Sequence, residues 1–154
     1  MRLAAHALMA HPDLDDLLNT LVQVAQQALA TRGEFSPFGA SMTPDGQVVS
    51  TAAVYEGGEA PLSHTQIDSM VRQFRQEAAA GRIRAAGVCF DVRVTPPGQT
   101  EKTDAICVGL EHASAPALDV FVPYKKGVMG GLEYGEAFAA RRTPQFFVPN
   151  EGTA

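Results

Sequence analysis

The stretch Ala85–Lys126, AAGVCFDVRVTPPGQTEKTDAICVGLEHASAPALDVFVPYKK, decides the fold. Val88, Phe90, Val92 and Val94 recur at every second position, as do Ile106, Val108 and Leu110. Leu118, Val120, Val122 and Tyr124 do the same. A period of two places each set on one face of a pleated strand, and the many β-branched residues suit a half-buried sheet. Pro96-Pro97-Gly98-Gln99 and Ala113-Ser114-Ala115-Pro116 are turn sequences too short for a crossover helix. The stretch therefore predicts three strands in an antiparallel meander, with the valine and isoleucine sets of all three on one shared, dry face.

The opposite face then carries Cys89, Asp91 and Arg93, next Cys107, Gly109 and Glu111, and next Asp119 and Phe121. Its small and charged residues suit a solvated side with cross-strand pairs such as Arg93 with Glu111 or Asp91. The alternative is a binding or dimerisation face on Cys89, Asp91, Arg93, Cys107, Gly109, Glu111 and Phe121, with Gly109 as a flat patch and Phe121 as a knob. Cys89 and Cys107 would share that side. A cross-strand disulfide is then conceivable, although two reduced, semi-buried thiols are the simpler expectation.

Upstream, Pro12 and the acids Asp13, Asp15 and Asp16 open a helix by fitting its first turn and its dipole. Leu14, Leu17, Leu18, Leu21, Val24, Ala25, Ala28 and Leu29 continue it as one apolar stripe, and Gly33 closes it. Phe35–Met42 and Gln47–Tyr55 read as a hairpin around Thr43-Pro44-Asp45-Gly46, with Pro37 making the first strand's start an edge. Gly57-Gly58-Glu59-Ala60-Pro61 is a loop. Ser63-His64-Thr65-Gln66 forms a capping box for a second helix to about Ala80, with Ile67, Met70, Val71 and Phe74 inward. Beyond Lys126, Leu132, Tyr134 and Phe138 suggest a sixth strand, and Phe146, Phe147 and Val148 a tail tucked against the body.

These elements predict an α+β fold in the order α-β-β-α-β-β-β. One antiparallel sheet of about five or six strands has both helices packed on one face. At 154 residues the whole chain, 1–154, is expected to be a single domain. The succession resembles the profilin-like and roadblock-like folds, which implies a docking or sensing module. The combination Gly33-Glu34-Phe35-Ser36-Pro37-Phe38-Gly39-Ala40, Leu110-Glu111-His112 and Val122-Pro123-Tyr124 is similar to small bacterial α+β proteins of unassigned activity, and that resemblance implies no chemistry.

A net charge of -5 with scattered lysines and arginines argues against nucleic acid. Met1–Ala5 starts like a secretion signal, but His6 and then Asp13 interrupt the apolar run, so a cytoplasmic location without a membrane span is expected. No C-x-x-C occurs and His6, His11, His64 and His112 are dispersed, so no metal and no cofactor are expected. Glu111-His112 with Asp91 suggests a general base and an orienting acid. Alternation separates them, however: adjacent strand residues point to opposite faces, which sends His112 toward the helices or to the strand's end while Glu111 looks outward. Neither thiol has a visible activating group. Lys125-Lys126-Gly127 with Gly130-Gly131 lacks the phosphate-loop order, and neither a nucleophile elbow nor a dinucleotide fingerprint is present.

Two functions remain. The first is a non-enzymatic interaction or regulatory module, immunity-like for example, that pairs with itself as a homodimer or with another protein through the outer face or an edge strand. The second is a small-molecule sensor or enzyme with a pocket at Phe38, Asp91, Glu111, His112 and Tyr124.

Overall fold

A computed structural model describes residues 11–52 and 63–148. The signal-like start, the Gly57–Pro61 loop and the end of the second hairpin strand lie outside the described residues. Helix α1 spans Pro12–Arg32, with proline in its first turn and Gly33 at φ 77° as a left-handed cap whose N–H reaches Leu29 O. The hairpin is shorter than its apolar runs: β1 is Phe38–Met42 and β2 is Val48–Ala52, turning at Gly46 with φ 92°. Helix α2 is Ser63–Ala79 and buries Met70 and Phe74. The meander follows as β3 (Ala85–Val94), β4 (Thr103–His112) and β5 (Ala115–Lys126), in the expected antiparallel pairing.

Short strands β6 (Leu132–Tyr134) and β7 (Phe138–Arg141) both pair with β5. They share one edge, and the register steps by one residue between them, which is a bulge. The break falls opposite Pro123, which has no N–H to give the ladder; its carbonyl instead accepts from Gly135 N–H at 2.8 Å. The sheet runs β2-β1-β3-β4-β5-β6, with β7 beside β5. The α+β class, the single antiparallel sheet and the element order are as the sequence predicts.

The placement of the helices is not. The ladder pairs Cys89 with Val108 and Phe90 with Cys107. Cys89 and Asp91 therefore share a face with Ile106, Val108 and Leu110, while Val88, Phe90, Val92 and Val94 point the other way. The β3 set was expected to align with the β4 set, and it is inverted by one residue. Both faces of β3 are apolar enough to be covered, so each takes a helix. Leu14, Leu17, Leu18 and Leu21 of α1 pack on Ala40, Cys89, Val108, Leu110, Val120 and Val122. Met70 and Phe74 of α2 pack on Ala86 and Val88 together with Phe146. The two helices thus lie on opposite faces, with the sheet between them, rather than together on one face.

Two glycines let the layers close. A Cβ on Gly87 would meet Leu21 Cδ1 at 2.7 Å on the α1 side. On the α2 side, a Cβ on Gly39 would meet Gly87 O at 2.7 Å and the Phe74 ring at 3.3 Å. Backbone cannot yield as a leucine methyl can. Gly39→Ala is thus expected to lower stability by about 1–3 kcal/mol, as overpacked cores do, and Gly87→Ala by less. Urea unfolding of the two variants checks the order, and equal midpoints would refute the packing account.

Candidate interaction surface

Two polar clusters hold the layers together and a third crosses one face of the sheet. At the start of α1, His11 is the N-cap and its Nδ1 accepts the Asp13 N–H at 3.1 Å. Asp13 reaches across to β4, where His112 Nε2 lies 2.9 Å from its Oδ2, and Arg84 Nη2 lies 3.0 Å from its Oδ1. The Ser114 N–H donates to His112 Nδ1 at 3.0 Å. A backbone N–H can only donate, so that lone pair fixes the tautomer: the His112 proton is on Nε2 and points at Asp13. The His11 and His112 rings touch at 3.8 Å between centroids.

One ligand atom each from His11, Asp13 and His112 fall within 4.8 Å of one another, a spacing that could hold a metal ion. The donor set does not fit one. Both Nδ1 atoms already accept backbone N–H groups, Arg84 neutralises the carboxylate, and the helix N-terminus repels cations. The cluster is a clasp between α1 and the β4–β5 turn. Ser114 Oγ sits 3.1 Å from His112 Nδ1, which completes a serine–histidine–aspartate chain. Its base is already engaged by the Ser114 N–H, and none of the cavities described lines this turn.

On the α2 side, Glu111 is 1% exposed. Its carboxylate accepts N–H groups from Gln145 at 2.8 Å, Phe146 at 2.8 Å and Phe147 at 3.1 Å. Arg142 Nη1 lies 2.8 Å from the same carboxylate, and Arg142 Nε lies 3.0 Å from Asp119 Oδ1. Burial pushes the Asp119 pKa up and outweighs the pull of Arg142. A buried carboxylate met by three N–H groups and a guanidinium is fully satisfied, so Glu111 pins the C-terminal segment to the sheet. The third cluster is a single bond: Tyr124 OH donates to Asp91 Oδ1 at 2.8 Å. Burial raises the Asp91 pKa despite that bond.

The structure divides the two predicted residue sets. Of the proposed outer face, Cys89, Asp91 and Arg93 are on the α1 side, while Cys107, Gly109, Glu111 and Phe121 are on the α2 side. Both thiols are free and buried on opposite faces, and burial raises both pKa values, so neither a disulfide nor a thiolate fits. Gly109 is covered, since a Cβ there would meet Asp119 and Arg142. Arg93 pairs with Asp104 at 3.2 Å rather than with Glu111 or Asp91.

The predicted pocket does not assemble either. Phe38, Asp91, His112 and Tyr124 share the α1 face, but Glu111 is on the other. His112 and Tyr124 occupy opposite ends of β4, because Tyr124 pairs with Asp104, roughly 26 Å away at about 3.3 Å per residue.

Among the described residues, about half of the α2 face carries neither a helix nor the C-terminal segment. Helix α2 packs against β1 and β3, and the C-terminal segment covers the Glu111 end. Across the other half runs one cross-strand row, Phe90, Cys107, Phe121 and Phe138, beside Val92, Ala105 and Pro123. Phe121 and Phe138 stack at 5.0 Å between centroids, and with Phe90 and Val92 they are half-buried. None of the seven is charged; Cys107, Ala105 and Pro123 are buried beneath the row, so the four half-buried side chains supply its accessible apolar surface. A cavity of about 540 Å³ adjoins the row where the edge bulges, walled by Pro96, Pro97, Pro123, Tyr134 and Phe138. Alternation in β3 alone pointed to Phe90 and Val92 as core; only the ladder shows that no helix covers them fully.

Burial works to raise the Asp13 pKa, but the hydrogen bonds from His112 and Arg84 and the Arg84 charge outweigh it, so the carboxyl sits below its ordinary value. A depressed pKa adds stability above the unfolded value of about 4 and loses it as pH falls through the folded one. Acidification through that window is expected to lower the urea midpoint of the protein, and Asp13→Asn to flatten the drop. Equal acid slopes for the two proteins would remove Asp13 from the clasp.

Comparison with protein-family models, with curated proteins and with solved structures found no match to this chain.

Proposed function

We propose that this chain is a non-enzymatic protein-interaction module that works as a homodimer through the open half of the α2 face. The observation that carries this reading is the Phe90–Cys107–Phe121–Phe138 row, an apolar strip four strands wide with no charge in it. Interface centres are depleted in charge and enriched in aromatic anchors. A second copy fits such a strip, because two neutral faces meet with no like charges opposed, on a chain whose net charge is -5. The reading is further supported by the ionisable groups behind the face: Glu111, Asp119 and Arg142 are engaged with one another and with the C-terminal segment.

Light scattering on a sizing column is expected to give twice the 16.3 kDa chain mass for the wild type. Phe121→Arg puts an unpaired cation at the centre of the strip and is expected to give the single mass. Val49→Arg, on the outer edge strand β2, is expected to leave the dimer intact. A wild type that stays monomeric at high concentration overturns the proposal, as does a dimer indifferent to Phe121→Arg.

A further inference from the structure

Val128 is 99% exposed and Met129 97%, far more than any other large apolar side chain described. They cap the β5–β6 hairpin. Its turn is closed by Gly127 N–H to Gly131 O at 2.6 Å and Gly130 N–H to Gly127 O at 3.0 Å, with Gly130 at φ 89°. Glycines on both sides leave the two apolar side chains standing clear of the body. Lys125 and Lys126 flank them. Two adjacent apolar side chains this exposed make one contiguous patch, the kind of surface that interaction sites carry.

A receptor of matching character lies on the same chain. The cavity of about 540 Å³ at the base of the hairpin has proline and aromatic walls, and Lys125, Glu133 and Glu136 line it as well, two acids against one base. Its volume suits one or two side chains. A hairpin tip cannot fold back into a cavity at its own base, because the last ladder pair, Lys126 with Leu132, directs it away.

We propose that Val128 and Met129 of one copy seat in this cavity of a second copy. Lys125 and Lys126 then face the partner's Glu133 and Glu136. The exchange is reciprocal about a two-fold axis, since a one-way insertion would build a ring or a filament rather than a dimer. Methionine suits the role, because its flexible thioether packs well against Tyr134 and Phe138. Within one chain Lys125 and Glu133 stand 4.0 Å apart and are both exposed, so that contact is weak and readily traded for one across the interface. A lipid surface is a poorer occupant for the tip, given the chain's charge of -5 and the two glutamates beside the cavity. The inference rests on the homodimer reading and names a contact that reading does not require.

Met129→Glu alters only an exposed side chain, so folding is not at issue. Analytical ultracentrifugation is expected to show its dimer dissociation constant raised at least tenfold over wild type. In a mixture of Met129→Cys and Glu136→Cys chains, mild oxidation is expected to yield the mixed crosslinked dimer, and Met129→Cys alone little. The native thiols are buried and do not compete. If Met129→Glu dimerises like wild type while Phe121→Arg is monomeric, the tip contact is wrong and the face reading stands. The reverse pattern keeps the tip contact and removes the face. A monomeric wild type removes both. Wild type that co-sediments with phosphatidylserine vesicles, lost in Met129→Glu, would assign the tip to a membrane surface instead.

Discussion

Ten consecutive pairings between β3 and β4, from Ala85 opposite His112 to Val94 opposite Thr103, set the rest of the molecule. Side chains alternate strictly across a pleated sheet, so one register distributes every residue of both strands between two faces. This register puts Cys89 with Val108 and Phe90 with Cys107, which leaves apolar residues on both faces of the sheet. A sheet with two apolar faces has to be covered twice. Helix α1 covers one side but leaves Asp91, Arg93 and Asp104 at its far end exposed or half-exposed, while α2 and the C-terminal segment cover only part of the other.

The polar groups at the two ends of these strands follow from that arrangement. Glu111 and His112 are neighbours in sequence and lie on opposite faces, and each fastens its own layer. His112 holds the start of α1 through Asp13, and Glu111 holds the C-terminal segment through three N–H groups and Arg142. Removing either partner would leave the other buried and unsatisfied, the costly case for polar groups in an interior. Residues that resemble a catalytic pair in one dimension thus act as two separate clasps.

The uncovered strip and the hairpin tip are the remainder of the same construction. The row ends at β7, where Pro123 forces the edge to bulge and so opens the cavity beside it. The apolar strip, the cavity and the exposed Val128–Met129 tip therefore all cluster around β5 and its edge. The proposed association rests on that concentration of apolar surface.

Local patterns in the chain were enough for α1 with its proline start and Gly33 cap, for the turn at Gly46, for α2 from Ser63, and for the antiparallel meander. Each depends on residues close in sequence, whose spacing carries the periodicity directly. That Glu111 and His112 face opposite ways was legible for the same reason, but not that both faces would be covered, which buries Glu111 as well as His112. The register of β3 against β4 was not, because Val88, Cys89, Phe90 and Val108 are all apolar enough to face inward, and periodicity within a strand says nothing about its alignment with a neighbour. Asp13 meets Arg84 and His112 from 71 and 99 residues away, and Glu111 meets the backbone of Gln145–Phe147 from 34 to 36 residues away, beyond the reach of any local spacing. Composition and periodicity decided which elements form; long-range pairing alone decided which face each side chain meets and which apolar residues were left without cover.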